Sequence, residues 1–197
     1  MIANHQLKII LASASPRRLQ ILQAHGLSAV VKPADIEEIL QNGEDAKNYV
    51  TRLAREKAQT VLSQLRKNRA DLIIAADTTV AYENHILEKP RDREDAYRML
   101  RMLSGKSHEV YTGYALVFLP EQRWWVNYTK TRIQFHHLNE QQIQDYIDSG
   151  EPFDKAGAYG IQQVRDSFVK DIEGSYYNVM GLPIEDILAR LNQEMIL

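Results

Sequence analysis

Residues 7–18 read LKIILASASPRR. The apolar run over residues 7–11 predicts a buried strand. Ser15 and Pro16 follow it, and these are the residue types preferred at a helix N-cap and at the first helical position. The stretch therefore predicts a strand, a tight turn and a helix, which is a typical opening for an α/β protein.

The turn in this unit has the residues of a phosphate site. A helix N-terminus presents unpaired backbone N–H groups and the positive end of the helix dipole. Ser13, Arg17 and Arg18 flank it here, and guanidinium groups match phosphate oxygens in a bidentate fashion. A capped surface helix with solvated arginines would show the same residues, so this turn alone leaves both interpretations open.

Hydrophobic periodicity along the rest of the chain predicts a mixed α/β fold. Residues 45–65 keep their apolar side chains on one helical face, and the continuous apolar run 72–76 predicts a strand that is buried on both faces and ends at Asp77. We expect a mixed twisted sheet with flanking helices, in one domain over residues 1–197. The other predicted elements are a helix after Asp92, a hairpin of residues 110–119 and 124–135, a helix after Asn139, a strand over 168–172 and a last helix from Pro183.

Composition excludes several classes of protein. The chain has 24 Lys and Arg against 26 Asp and Glu, a net charge of −2, and no cysteine. A near-neutral chain is a poor candidate for nucleic-acid binding, and the lack of cysteine excludes disulfides and thiolate catalysis. The N-terminal apolar run is too short for a signal peptide, and no later run is long enough to span a membrane. We expect a cytoplasmic protein with no nucleic-acid or membrane partner.

Three charged residues stand in places where a bound anion or metal would explain them. Lys57 lies on the apolar stripe of the long helix, so its ammonium group either reaches past that face to water or meets an anion. Asp77 follows the apolar strand, where a carboxylate can bind a divalent cation, orient a water or cap a turn. Glu38 lies in an acidic loop and is either solvated or a second oxygen ligand for a cation beside Asp77.

Two later segments are candidates for further ligand contacts. Lys89 belongs to a basic patch just before the Asp92 helix, where a salt-bridged surface is the alternative. Residues 154–162 read DKAGAYGIQ, and their glycines would let the backbone approach a ligand. A plain surface loop would account for the same residues.

Seven segments of the chain, in register, resemble the Maf family of nucleotide pyrophosphatases. The resemblance extends over nearly the whole chain, so it is far more specific than any one segment. The segments are LASASPRR (11–18), RLAREKA (52–58), ADTTV (76–80), LEKP (87–90), MLRMLSG (99–105), DKAGAYGIQ (154–162) and NVMGLP (178–183).

This resemblance implies a fold and a reaction. The expected fold has two lobes around a central cleft and is similar to that of inosine-triphosphate pyrophosphatases. The expected reaction is cleavage of a nucleoside triphosphate between its α- and β-phosphates, giving the monophosphate and pyrophosphate, with Mg²⁺ or Mn²⁺ as the divalent cofactor. The resemblance also implies a homodimer. A nucleotide-binding regulator of septum formation with little catalysis is the alternative function.

The resemblance also assigns roles to residues. The block 154–162 resembles the subfamily that acts on dTTP and UTP, and modified pyrimidine triphosphates are expected substrates as well. The Gln162 amide has one acceptor and two donor hydrogens, which suits the N3–H and O4 of thymine or uracil. The implied catalytic group is Asp77, Lys57, Lys89 and Glu38, with Asp77 and Glu38 as metal ligands; the implied substrate contacts are Ser13, Arg17, Arg18, Thr78, Lys155 and Gln162.

Overall fold

A computed structural model describes residues 7–65, 70–83 and 85–194 of the chain. In that part of the chain, seven strands form one mixed sheet. They are β1 (Ile9–Leu11), β2 (Ala29–Val31), β3 (Leu72–Tyr82), β4 (His85–Leu87), β5 (Ser107–Phe118), β6 (Arg123–Phe135) and β7 (Val169–Glu173). Their order across the sheet is β2-β1-β3-β5-β6-β7, and β4 pairs with β3. The first three strands are mutually parallel, and the remaining pairs are antiparallel.

Helices cover both faces of the sheet, which confirms the predicted mixed α/β class. The described helices are α1 (Pro16–Ala24), α2 (Ala46–Ser63), α3 (Arg93–Leu103), α4 (Glu140–Asp148), α5 (Ile161–Val164), α6 (Tyr176–Met180) and α7 (Ile184–Gln193), with 3-10 turns at Glu151–Asp154 and Ala156–Ala158. Alternate residues of β3 point to opposite faces: Ile73 packs with α2, whereas Leu72 and Ile74 pack with α1 and α7. A separate apolar cluster joins α3 and α4 to the open end of the β5–β6 hairpin, where β5 begins and β6 ends.

Several local predictions are confirmed. The α2 helix begins after Asp45, whose side chain accepts a hydrogen bond from the Asn48 backbone N–H at 2.7 Å. Asn139 caps α4 in a capping box with Gln142. At α1 the predicted boundary is right, but the Ser15 side chain makes no capping hydrogen bond. The starts of α2 and α4 are encoded locally, because each of these two caps satisfies an N–H group only three residues away.

The strand β3 extends further than the sequence predicts. The predicted end at Asp77 is wrong, because β3 continues to Tyr82. Residues 78–80 are β-branched, which favours a strand, and they pair in register with β5. Asp77 nevertheless lies beyond the end of a neighbouring strand, since β1 last pairs with β3 at Ile74. Among the described residues β3 has no strand partner on that side until β4 begins to pair with it, and a gap opens beside Asp77.

The helix α2 lies very close to the sheet at Gly113 of β5. A Cβ atom at this position would lie 2.6 Å from the backbone nitrogen of Thr51 and closer still to the Val50 carbonyl group. Only glycine allows the two backbones to approach so closely. The contact sets the height of α2, and therefore of Lys57, above the strands.

Within the described residues, no helix combines the length and the apolar character needed to cross a lipid bilayer.

Candidate active site

A cleft of about 580 Å³ lies beside the gap that β1 leaves in the sheet. This volume is within the range usual for small-molecule sites. All ten residues that the sequence singles out line it: Ser13, Arg17, Arg18, Glu38, Lys57, Asp77, Thr78, Lys89, Lys155 and Gln162. They come from the first turn, the segment before α2, α2 itself, β3, the loop after β4 and residues 155–162, which are far apart in sequence.

Arg18 is the fixed cation at the base of the cleft. It is buried, and its Nε donates to the Gly181 carbonyl oxygen at 2.7 Å. Its Nη1 donates to Ser13 Oγ at 2.9 Å, and its Nη2 donates to Thr78 Oγ1 at 3.1 Å. Burial lowers the pKa of this guanidinium, with the nearby Asp77 charge acting in the opposite direction. Three N–H groups are engaged by the protein, so the remaining ones keep a fixed direction.

Thr78 is part of a hydrogen-bond chain that leaves its hydroxyl little freedom. Thr112 Oγ1 donates to the Asn178 carbonyl oxygen at 2.9 Å, so its single proton is used there. Thr78 Oγ1 lies 2.9 Å from Thr112 Oγ1 and must therefore be the donor in that contact. Thr78 also accepts a hydrogen bond from Arg18. These hydrogen bonds therefore hold the Arg18 guanidinium group in place and leave no free Thr78 proton for a ligand.

Lys57 joins the two carboxylates that the sequence proposes as metal ligands. Its Nζ lies 2.6 Å from Asp77 Oδ1 and 2.5 Å from Glu38 Oε1. Lys57 is 7% exposed and Asp77 is 6% exposed, so the ammonium group on the apolar stripe meets anions instead of reaching bulk water. One N–H of Lys57 is left over for a third acceptor.

The pKa values of the two carboxyl groups are shifted in opposite directions. Burial raises the pKa of Asp77, and the charges of Lys57 and Arg18 offset only part of that effect. Glu38 is less deeply placed: its partial burial is outweighed by the hydrogen bond and charge of Lys57, with help from Lys89 and Arg18, so its pKa is lowered. A carboxylate with a raised pKa is the better proton acceptor, as a general base requires.

At the mouth of the cleft the cations are held by carboxylates. Lys155 Nζ lies 2.6 Å from Asp154 Oδ1, and it also donates to the backbone and side-chain oxygens of Glu151. Arg17 Nη2 lies 3.6 Å from Asp154 Oδ2. Asp154 is 67% exposed, so both pairs are open to exchange with another anion. Among the predicted residues, Lys89 and Gln162 are exposed at this mouth.

The segment around Lys155 is fixed by contacts with β3, with the loop after β4 and with α4. Gly157 has a φ of +68° and donates its N–H to the Glu88 carbonyl oxygen at 3.1 Å. A Cβ here would meet the Cβ of Val80 at 2.9 Å, which explains the glycine. Gly160 N–H donates to the Tyr146 hydroxyl at 2.9 Å. These contacts hold Gln162 at the cleft, although the residue itself is exposed.

Comparison with known proteins identifies the family. Residues 8–194 match the model of the Maf-like protein family. The chain belongs to the Maf family. This confirms the resemblance noted in the sequence.

Curated relatives of this Maf chain align over nearly its whole length. A protein of Koribacter versatilis is 44% identical, with 98% of each chain covered, and one of Agathobacter rectalis is 47% identical, with 95% of this chain and 96% of the relative covered. Both are named dTTP/UTP pyrophosphatase. The Ham1 protein of Staphylococcus aureus is 15% identical with a TM-score of 0.56, over 95% of this chain and 99% of that structure. This likeness confirms the expected fold.

Two residues that line the Maf cleft are not among those that the sequence singles out. Tyr49 lies on the apolar face of α2, but its hydroxyl reaches the cleft and donates to the Glu88 carboxylate. Glu88 is adjacent to Lys89 in the LEKP block and also lines the cleft. The only sequence signal was a tyrosine, with its polar tip, on an otherwise apolar helical face.

The donor set at the base of the cleft fits a divalent cation only in part. Among the described residues, no group of three or more His, Cys, Asp or Glu side chains is placed to hold a metal alone. Asp77 and Glu38 nevertheless bring two carboxylates to one ammonium group. Mg²⁺ is usually held by one or two carboxylates together with substrate phosphates and water. The two residues therefore fit a cation that arrives with a phosphate ligand.

Proposed function

We propose that this Maf protein hydrolyses dTTP and UTP to the monophosphate and pyrophosphate. The observation that carries the proposal is the contact of Lys57 with Asp77 and Glu38 beside the fixed guanidinium of Arg18. It brings hard-oxygen ligands, a proton acceptor and phosphate-binding cations into one cleft. The names of the full-length relatives support this reaction and these substrates.

Cations from both sides of the cleft would bind the triphosphate. Arg18 offers its remaining N–H groups in a fixed direction, and Lys57 offers its third N–H. Arg17 and Lys155 would exchange Asp154 for phosphate oxygens, which is favourable because a triphosphate carries more charge than one carboxylate. Lys89 is exposed at the mouth and would contact the same anion.

Asp77 would take the proton of the attacking water. The water oxygen forms a bond to the α-phosphorus, the bond from that phosphorus to the bridging oxygen breaks, and pyrophosphate leaves with the bond electrons. A divalent cation bound by Asp77, Glu38 and phosphate oxygens would supply charge neutralisation for this step. Arg18 and Lys57 stabilise the negative charge that accumulates on the phosphate oxygens.

Selection of the base would rest mainly on Gln162. Its amide suits the N3–H and O4 edge of thymine or uracil, and modified pyrimidines that keep this edge would be accepted too. Cytosine presents a different edge and would leave a polar group unpaired. Because the Thr78 hydroxyl is engaged by Arg18 and Thr112, Thr78 would influence selection through the position of Arg18. Arg17 would contribute to base selection from its place at the mouth of the cleft.

Pyrophosphate release tests the proposal. We expect turnover of dTTP and UTP that depends on Mg²⁺ or Mn²⁺, with CTP, ATP and GTP hydrolysed at least ~10-fold more slowly in kcat/KM, as loss of a matched polar edge requires. Tight nucleotide binding without pyrophosphate release would refute the enzymatic function and favour the regulator of septum formation.

Two further points come from the resemblance and the substrate. A homodimer is proposed, and sedimentation velocity at micromolar concentration would show a mass twice that of the chain. A cytoplasmic location is proposed because nucleoside triphosphates are made and used there; fractionation of cells with an antibody against the chain tests it.

A further inference from the structure

The segment that carries Glu38 has no regular secondary structure. It covers residues 32–44, between β2 and α2, and we call it the Glu38 segment. Its apolar side chains Ile39 and Leu40 are exposed, so little burial holds it in place at that point. Segments of this kind open at low free energy unless specific contacts hold them. The place of the Glu38 carboxylate therefore depends on how the segment is attached.

Arg52 of α2 makes the strongest attachment. Its Nε and Nη2 donate to the two carboxylate oxygens of Glu44, each at 2.7 Å. Nη2 also donates to the Ile39 carbonyl oxygen at 2.9 Å. Nη1 contacts the Glu56 carboxylate at 3.3 Å, which holds the guanidinium from the helix side. One side chain thus ties both the end of the segment and the residue next to Glu38 to α2.

Apart from the Lys57–Glu38 pair itself, the other attachments of the segment to α2 are weaker. Tyr49 Oη lies 3.2 Å from the Glu38 carbonyl oxygen, but its single proton is shared with the Glu88 carboxylate. Ile36 packs against the apolar face of α2. By contrast, the Arg52–Glu44 contact is bidentate and charge-assisted, which is the stronger type of hydrogen bond.

We propose that Arg52 is a positioning residue that holds the Glu38 segment on α2, so that the Glu38 carboxylate meets Lys57. The inference rests on the role proposed above for Glu38. Arg52 does not line the cleft and would act only through the segment. Because Arg52 and Lys57 belong to the same helix, α2 fixes both the segment and the cation that Glu38 contacts. A lysine lacks the planar fork and could not hold Glu44 and Ile39 together.

Hydrogen exchange and kinetics of Arg52→Ala test the proposal. In the nucleotide-free and metal-free protein, amides 36–44 should exchange at least ~10-fold faster, while β3 and β5 exchange at the wild-type rate. The kcat for dTTP should fall by ~10- to 100-fold, the scale for a misplaced catalytic group, with KM changed far less. Arg52→Lys should restore only part of kcat.

A matched control lies on the same helix. Arg55 packs over the Trp124 ring at 5.6 Å, away from the Glu38 segment, so Arg55→Ala should leave both kcat and the exchange of 36–44 unchanged. If Arg52→Ala does not fold, Glu44→Ala removes the bidentate contact from the segment side and should give the same pattern to a smaller extent, because Arg52 still donates to the Ile39 carbonyl oxygen. In the double variant the losses should not add, since both changes remove one contact.

Three results would overturn the inference. The first is that amides 36–44 of Arg52→Ala exchange hydrogen at the wild-type rate. The second is a kcat within about twofold of wild type, while Glu38→Gln is inactive. The third is faster exchange spread equally over β3 and β5, because Arg52 would then support the whole fold and not the segment. A fully active Glu38→Gln together with fast exchange of 36–44 in Arg52→Ala would instead refute the role proposed for Glu38, while the attachment by Arg52 would stand.

Discussion

The close approach of α2 to Gly113 offers a direct test of how the site depends on helix packing. In Gly113→Ala, the new methyl carbon would lie 2.6 Å from the Thr51 nitrogen, whereas ordinary contacts are 3.4 Å or longer. The obstacle is backbone and cannot rotate away. We therefore expect α2 to move outward by on the order of 1 Å, with a loss of ~1–3 kcal/mol in the free energy of unfolding, as found for overpacked cores.

The same movement would separate the catalytic groups. Lys57 travels with α2, whereas Asp77 stays on β3, where it pairs directly with residue 113. Their contact is only 2.6 Å, so a shift of about 1 Å removes it, and errors of that size cost ~100-fold in rate. We expect kcat for dTTP to fall by about that factor in a protein that is still folded.

Urea unfolding and pyrophosphate release at a temperature where the variant is folded would measure both effects. Ala115→Gly is the control: Ala115 is buried on the same strand and packs on the α2 side, and its loss weakens the core without pushing the helix away. The reasoning is refuted if Gly113→Ala keeps wild-type kcat, or if Ala115→Gly loses as much activity for a similar loss of stability.

Three other perturbations probe separate parts of the chain. Asp77→Asn should abolish turnover while nucleotide affinity, measured by calorimetry, changes little; near-normal turnover would remove Asp77 from the role of base. Gln162→Ala should reduce the preference for dTTP and UTP over CTP by at least ~10-fold in kcat/KM, and an unchanged ratio would exclude base selection by Gln162. Burial lowers the pKa of His108 to about 3, so between that pH and about 6.5 the unfolded chain binds the extra proton. Stability should therefore fall as pH decreases through this window, by up to ~1.4 kcal/mol per pH unit. His108→Gln should show a smaller slope between pH 6.5 and 4.5 in urea unfolding, and equal slopes would contradict the assignment.

Locally encoded features could be predicted from the sequence. The caps of α2 and α4, the β5–β6 hairpin and the position of Lys57 on an apolar stripe all follow from residues a few positions apart. The end of β3 could not be predicted in this way. The apolar run stops at Asp77, but the strand continues because β5 pairs with it, and the paired residues lie 28 positions apart (Ala81 with Glu109) to 34 positions apart (Thr78 with Thr112) in the sequence.

The two adjacent arginines show the same limit at the site. The local residue pattern does not distinguish Arg17 from Arg18, yet Arg17 is exposed enough to pair with Asp154 and Arg18 is buried against Gly181. That difference depends on a carbonyl group 163 residues away. The attachment of the Glu38 segment by Arg52 was hidden for another reason, since an arginine and a glutamate near a helix start usually form a solvated pair.

Ionic strength should divide the cations of the cleft into two classes. Dissolved ions screen charges that are in contact with water over about 8 Å at physiological salt, but they screen buried charges much less. Arg18 is held by neutral oxygens inside the protein, so added salt should leave its orientation unchanged. The pair that Asp154 makes with Arg17 faces solvent, with side chains 67% and 26% exposed, and should loosen as salt rises, whereas Lys155 is only 6% exposed and should respond less. Salt would thus weaken capture of the anion at the mouth of the cleft and leave the inner site intact.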